Sequence, residues 1–202
     1  MKLTPRKPLY SNRNGFTIVE LLVVLAVIVV LSGITFGTVA GIQTSRMKAT
    51  ARAEIMMLSQ SLEIFKLKNG DYPITDSIEN NDLTLSKSLL GWKEFNLRTS
   101  KFEDRSLKSK NKLEVFIDPT KVYYEGKLGE DISIKPKNVR FVDPWGQPYQ
   151  YFYKETEQWD NFSYVLYSKG PDGEASDLPK DGLLNYEFNN SEINIDNIYI
   201  QN

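Results

Sequence analysis

Residues 16–42 read FTIVELLVVLAVIVVLSGITFGTVAGI, a run whose sole charge is Glu20. A helix needs about 20 apolar residues to cross a bilayer, and this run supplies them. Between Leu21 and Phe36 stand twelve Leu, Ile, Val or Phe residues. At roughly −0.3 to −0.6 kcal/mol each, they outweigh the roughly +3 kcal/mol of one acid at membrane depth. Insertion is therefore expected despite Glu20.

On the N-terminal side, the first fifteen residues hold Lys2, Arg6, Lys7 and Arg13 and no acid. The positive-inside rule keeps this segment cytoplasmic and sends the chain beyond about Ile42 across the membrane. A conventional secretory signal has a shorter apolar core, about 7 to 15 residues, followed by a small-residue cleavage site. Thr38 and Ala40 offer only a weak one. Gly33, Gly37 and Gly41 recur every fourth residue, a spacing that lines them on one helix face for close backbone approach and also weakens the helix.

On the C-terminal side, Arg46, Lys48 and Arg52 follow the apolar run, and Ala51, Ile55, Leu58, Leu62 and Phe65 repeat at intervals of three and four. That period marks an amphipathic helix whose stripe needs a sheet or loops to cover it. The Asn69–Gly70 pair ahead of Tyr72 and Pro73 stops it. A helix from Phe16 to Lys68 would run roughly 80 Å. The expected organisation is a leader over 1–15, a membrane helix over 16–42, and a head over 43–202 that includes the amphipathic helix to about residue 69.

Composition removes several classes of function. The net charge is −1, and the leader's cations mask a more acidic remainder, with no basic stripe interleaved with aromatics to attract nucleic acid. The chain has neither cysteine nor histidine, which excludes disulfides, thiolate or imidazole metal sites and thiol or imidazole catalysis. No phosphate-cradling loop or nucleophile motif is present. An anchored hydrolase using paired carboxylates such as Asp172 and Asp177 is the enzymatic alternative, and nothing else in the sequence supports it.

Within the head, residues 74–140 are rich in Asn, Asp, Ser and Lys. A short helix is expected over Leu83–Leu90 and strands over Leu113–Ile117 and Val122–Tyr124, the stretch as a whole reading as a surface insertion. From Phe141 the sequence FVDPWGQPYQYFY places a turn at Asp143, Pro144 and Gly146, then Tyr149, Tyr151 and Tyr153 alternating along a strand. A second strand is expected over Phe162–Ser168. Asp143 reads as a turn former. After it comes YSKGPDGEASDLPKDGLLNYEF, a Gly-rich acidic stretch.

These motifs together resemble one family. A basic leader, Gly15 ahead of Phe16 and Glu20 as the fifth residue after that junction resemble the class III leader of type IV pilins and pseudopilins. SLEIFKLKNGDYP, DPWGQPY and the GPDG turn resemble the major pseudopilin of type II secretion. The resemblance implies an α+β fold, with a long N-terminal helix on a small antiparallel sheet. It also implies cleavage after Gly15, N-methylation of Phe16, and a Glu20 carboxylate that meets the N-terminal amine of a neighbouring subunit, against the plain alternative of a glutamate snorkelling to the interface. Relatives often carry a proline where Gly37 falls.

By the same resemblance the acidic stretch is a calcium loop. Calcium takes six to eight oxygens, and Asp172 matches the family position best, with Asp177 in support. The closing acid is Asp181 or, across an insertion, Asp196. The chain lacks the glycine pair usual after that turn, and a plain polar turn with solvated acids is the alternative.

The function so implied is a structural subunit of a homo-oligomeric, pilus-like filament. It would sit in the bacterial inner membrane with its head in the periplasm, served by a prepilin peptidase, an assembly ATPase and a platform protein. A true type IV pilus subunit and a non-polymerising anchored binding domain are the alternatives.

Overall fold

Ala51, Ile55, Leu58, Leu62 and Phe65 are fully buried, so the period-3.6 stripe of the sequence is the spine of a core. In the computed structural model, which describes residues 15–75, 81–96, 98–99, 101–106, 113–128 and 137–199, helix α1 spans Ile18–Asn69. Gly70 ends it with φ +90, its N–H bonding the Lys66 carbonyl at 2.7 Å. Only a residue without Cβ takes that left-handed turn cheaply. The chain divides into residues 1–43 and a compact head, 44–202.

In the first unit α1 is apolar on every face, and Leu21, Leu25, Ile28 and Leu31 stand exposed. Among the described residues no helix is long and apolar enough to cross a membrane. The side chains of residues 34–41, towards the C-terminal end of the apolar run, lie outside the described set, as does most of the basic leader.

In the head the order is α2 (Asn81–Leu89), β1 (Lys93–Asn96), β2 (Lys101–Asp104), a 3-10 turn at Pro119–Lys121, β3 (Tyr124–Lys127), β4 (Lys137–Phe141), β5 (Gln150–Phe152), β6 (Val165–Ser168), α3 (Tyr186–Asn190) and β7 (Ile198–Tyr199). The described strands form three antiparallel sheets, β1-β2, β3-β4 and β5-β6-β7. The α+β expectation therefore holds, with the sheet divided into parts.

Tyr149, Tyr151 and Tyr153 point inward at every second position, all buried, and their hydroxyls find partners as buried phenols must. The Tyr151 hydroxyl donates to the Pro73 carbonyl at 2.7 Å and the Tyr153 hydroxyl to Asp71 Oδ1 at 2.6 Å. The Thr75 N–H donates to the Tyr153 carbonyl and the Tyr153 N–H to the Thr75 hydroxyl, both at 3.0 Å, and the pair clips the chain leaving α1 to the end of β5. Phe65 packs between Phe102 and Phe116, ring centroids 5.3 and 5.1 Å away.

The structure corrects the reading of residues 74–140 as surface decoration. Leu85, Leu89, Trp92, Phe102, Ile117 and Val122 from this stretch are buried in the same core as the α1 stripe. Leu113–Ile117 is not a strand: the Phe116 N–H bonds the Leu89 carbonyl at 2.8 Å at the end of α2, so its backbone is spent on a helix terminus and not on a ladder. The strand expected at Val122–Tyr124 begins only at Tyr124 and continues to Lys127. Phe162 lies outside β6 and is 96% exposed.

Candidate functional site

At the start of α1, Gly15 has nothing among the described residues within 4 Å of where a Cβ would stand, and Phe16 is exposed. The junction read as a cleavage site is thus open. Thr17 caps the helix: Glu20 accepts from the Thr17 N–H and from its hydroxyl, both at 2.8 Å, while the Thr17 hydroxyl oxygen accepts from the Glu20 N–H at 3.2 Å. This reciprocal pair is a capping box, Thr-x-x-Glu, which satisfies N–H groups that a helix start leaves bare. Glu20 therefore has a partner within its own chain, one that TIVE spells out immediately before the apolar run.

The second candidate lies where the chain folds back after β6. Gly170 and Gly173 take φ values of +74 and +71, and Asp172 sits between them. Its Oδ1 accepts from the Glu174 N–H at 2.9 Å, and its own N–H approaches Asp196 Oδ2 at 3.4 Å. Gly170 is required here because a Cβ would strike the backbone of Asp196 and stand 3.0 Å from its Oδ2. Among the described residues Asp196 Oδ1 is buried without a hydrogen-bond partner, an uncommon state for a carboxylate oxygen. Beside it the Asn197 side-chain amide faces the carbonyls of Lys169 at 3.1 Å and Glu174 at 3.3 Å. With its nitrogen towards them the amide donates to both; with its oxygen towards them three neutral oxygens converge beside the two acids.

Of the four acids read from the sequence, then, Asp172 and Asp196 come together. Asp181 does not: its Oδ1 accepts from the Leu183 N–H at 3.0 Å and its carbonyl from the Asp160 and Asn161 N–H groups. Asp177 is exposed and makes no such contact with the pair. Among the described residues no group of three or more acidic, His or Cys side chains is arranged to hold a metal. Asn197, absent from the sequence reading, is the further polar side chain beside the pair; its position directly before Ile198 was the available signal.

Asn194, almost fully buried, pins this return: it bonds the Ser176 hydroxyl at 2.6 Å and the Phe188 carbonyl at 2.7 Å, and accepts from the Ser176 N–H at 2.9 Å. Asp143 has the structural role expected of it. Its Oδ1 accepts from the Trp145 and Gln147 N–H groups at 3.0 and 2.9 Å, and its Oδ2 from the Ser168 hydroxyl at 2.6 Å. One carboxylate thus ties the DPWG turn to the residue that opens the acidic loop.

Comparison with known proteins places a described motif at the N-terminal end of the chain. The profile of the prokaryotic N-terminal methylation motif matches residues 10–36. Type II secretion system core protein G of Escherichia coli (strain K12) is 33% identical over 66 residues, 33% of this chain and 46% of that protein. Its counterpart in Dickeya chrysanthemi is 31% identical over 65 residues, 32% of this chain and 42% of that protein. The chain thus spans less than half the length of these two relatives. The same protein of Aeromonas hydrophila is 25% identical over 164 residues, 81% of this chain and 87% of that protein. No solved structure matches significantly. The chain thus carries the N-terminal methylation motif and is similar to type II secretion system core protein G.

Proposed function

We propose that this chain is a structural subunit, not an enzyme, that is cut after Gly15, methylated on Phe16 and polymerised through α1 into a pilus-like filament serving type II secretion. The supporting observation is the methylation motif over residues 10–36, set at the exposed, capped start of a helix that is apolar on every face. Such a helix needs apolar surroundings, and its described apolar side chains are exposed. Before assembly these are the inner membrane, with the head in the periplasm; afterwards they are the helices of neighbouring subunits. A prepilin peptidase, an assembly ATPase and a platform protein are the partners this route requires.

Glu20 then has two successive partners, Thr17 in the free chain and the methylated amine of a neighbour in the filament. Mass spectrometry of the mature chain should find an N-terminal methyl-Phe16. Glu20→Gln keeps an oxygen for Thr17 but loses the charge, so it should fail to crosslink into filaments as fully as Glu20→Ala does. If the Gln variant assembles at wild-type yield, capping alone explains Glu20 and the amine pairing is wrong.

In the head, the donor set between Gly170 and Asn197 fits calcium, a hard cation that takes oxygen ligands. Asp172 and Asp196 would supply the charge, Asn197 an amide oxygen, and Lys169 and Glu174 carbonyls. Calcium would hold the C-terminal return against the acidic loop, stabilising the head by roughly 2.7 kcal/mol at 100 times its dissociation constant. Asp172→Ala and Asp196→Ala should each abolish a calcium-dependent rise in melting temperature, whereas Asp181→Ala should leave it intact. A melting temperature that ignores millimolar calcium removes the metal while leaving the filament subunit untouched.

A further inference from the structure

Arg46 stands four residues beyond Ile42, where the apolar run of α1 ends. Among the described residues it makes no ion pair, and it is exposed. One helical turn on, Thr50 lies on the same face, and against that face the chain leaving the 3-10 turn lays Tyr123 and Tyr124, 60% and 41% exposed. Together with Val142 and Pro144 these side chains enclose a hollow of about 480 Å³. Its wall is aromatic and apolar and its mouth carries one cation.

Asp143 also borders this hollow, but it is buried and both its oxygens are engaged, by the Trp145 and Gln147 N–H groups and the Ser168 hydroxyl. Glu54, in the neighbouring hollow along α1, is likewise buried and accepts from the Tyr149 hydroxyl at 2.5 Å. Neither acid answers the Arg46 guanidinium. Lys48 and Arg52, two and six residues further along α1 on other faces, form no ion pair among the described residues and add positive charge to the same end of the head. Exposed tyrosines beside arginine, at the point where an apolar helix leaves hydrocarbon, are the side chains that a lipid headgroup layer takes up.

We infer that this hollow is a docking site for an anionic phospholipid headgroup, with Arg46 on the phosphate and Tyr123 and Tyr124 against the glycerol and upper acyl carbons. The inference rests on the membrane anchorage proposed above and adds to it a lipid-specific contact made by the head. Guanidinium matches phosphate bidentately. Each basic residue at an anionic surface is worth about fivefold in partitioning. The head of an unassembled subunit is thereby held against the bilayer until α1 is withdrawn into a filament.

The test uses the full chain in nanodiscs of phosphatidylcholine, with and without phosphatidylglycerol. Hydrogen exchange is followed over residues 122–126 and 142–147, with Arg46→Gln and Lys87→Gln compared with the wild type. Phosphatidylglycerol should slow exchange in both segments several-fold. Arg46→Gln should remove that slowing, and Lys87→Gln, on α2, should retain it. Equal exchange in the two lipids, or a lipid effect that survives Arg46→Gln, overturns the inference. So does protection that follows protein density and not lipid charge, which would identify a second copy of the chain as the occupant. A chain that does not stay with the discs at all sinks the membrane reading as well, and recovery of the discs separates that failure from the others.

Discussion

Removing one oxygen from Tyr149 tests how the head carries a buried charge. Glu54 lies on the covered face of α1, 4% exposed, and accepts from the Tyr149 hydroxyl at 2.5 Å. Burial raises its pKa above the ordinary value, partly offset by the Tyr149 hydroxyl and the Tyr123 N–H, with Asp143 pushing the same way as burial. Tyr149→Phe keeps the ring in the core and deletes only the donor. A hydrogen bond to a charged group contributes about 1.5–3 kcal/mol, so about 2 kcal/mol should be lost at pH 7.5. For a chain of this size that is about 4–8 °C in melting temperature.

The sign of the pH dependence follows from the direction of the shift. A carboxyl whose folded pKa is raised contributes stability that is fully present below its unfolded pKa and is lost as pH rises through the folded one. Without the hydroxyl the folded pKa of Glu54 rises further. The gap between Tyr149→Phe and wild type should therefore shrink as pH falls towards the unfolded carboxylate range, because a protonated Glu54 no longer needs the donor. Melting curves of the chain in detergent micelles at pH 4.5 and 7.5, with Glu54→Gln as a background in which the gap should nearly close at both values, measure this directly. A Tyr149→Phe deficit equal at the two pH values, or unchanged in the Glu54→Gln background, refutes the account.

Leu58→Ala should destabilise by about 3 kcal/mol through the cavity it leaves, while Leu67→Ala, at a position 86% exposed, should change the melting temperature little; similar losses from both would mean that the stripe is misassigned. Gly182 has φ +72, and a Cβ there would stand 2.6 Å from the Trp159 ring. Gly182→Ala should therefore lose about 2–3 kcal/mol and speed amide exchange at residues 160 and 161, which bond the Asp181 carbonyl. Asp143→Ala orphans three donors and should lose about 3 kcal/mol, weakening calcium's effect on melting along with the turn. Gly15→Leu should leave an uncut precursor in cells with the peptidase, and a mature band of normal mass would count against the cleavage site.

The parts of this fold legible in the sequence are those set by short-range period. The α1 stripe, the Gly70 stop and the inward tyrosines of β5 follow from spacings of 3.6 and 2, which depend on the residues themselves. β1 and β2, KEFN and KFED, were missed because short polar strands carry no alternation to read. The core role of residues 81–122 was missed because Leu85, Trp92 and Phe102 acquire a partner only when α1 is laid beside them. At the candidate sites, the turn around Asp172 was legible from its glycines, whereas the sequence offered both Asp181 and Asp196 as its neighbour. Asp181 and Asp196 could be told apart only by the return of the chain through Asn194, which joins residues 18 positions apart. The capping box was fully written in TIVE, but the same glutamate had already been explained by assembly, and one residue was read for one role.

The contacts that close the head are distant in sequence: Glu54 to Tyr149 spans 95 positions, Pro73 to Tyr151 spans 78 and Asp71 to Lys154 spans 83. Chain closure over such separations is slow to nucleate. As the polypeptide is made from its N-terminus, the stripe from Ala51 to Phe65 precedes β5 and β6, which help to cover it, by some 85 residues or more. Until those strands arrive, the greasiest side of the head is only partly covered, by residues such as Leu85, Trp92 and Phe102. Partly made heads crowded together would find each other's stripes before their own strands, so the rate at which this subunit reaches its native state should depend on how sparsely the nascent chains are spaced.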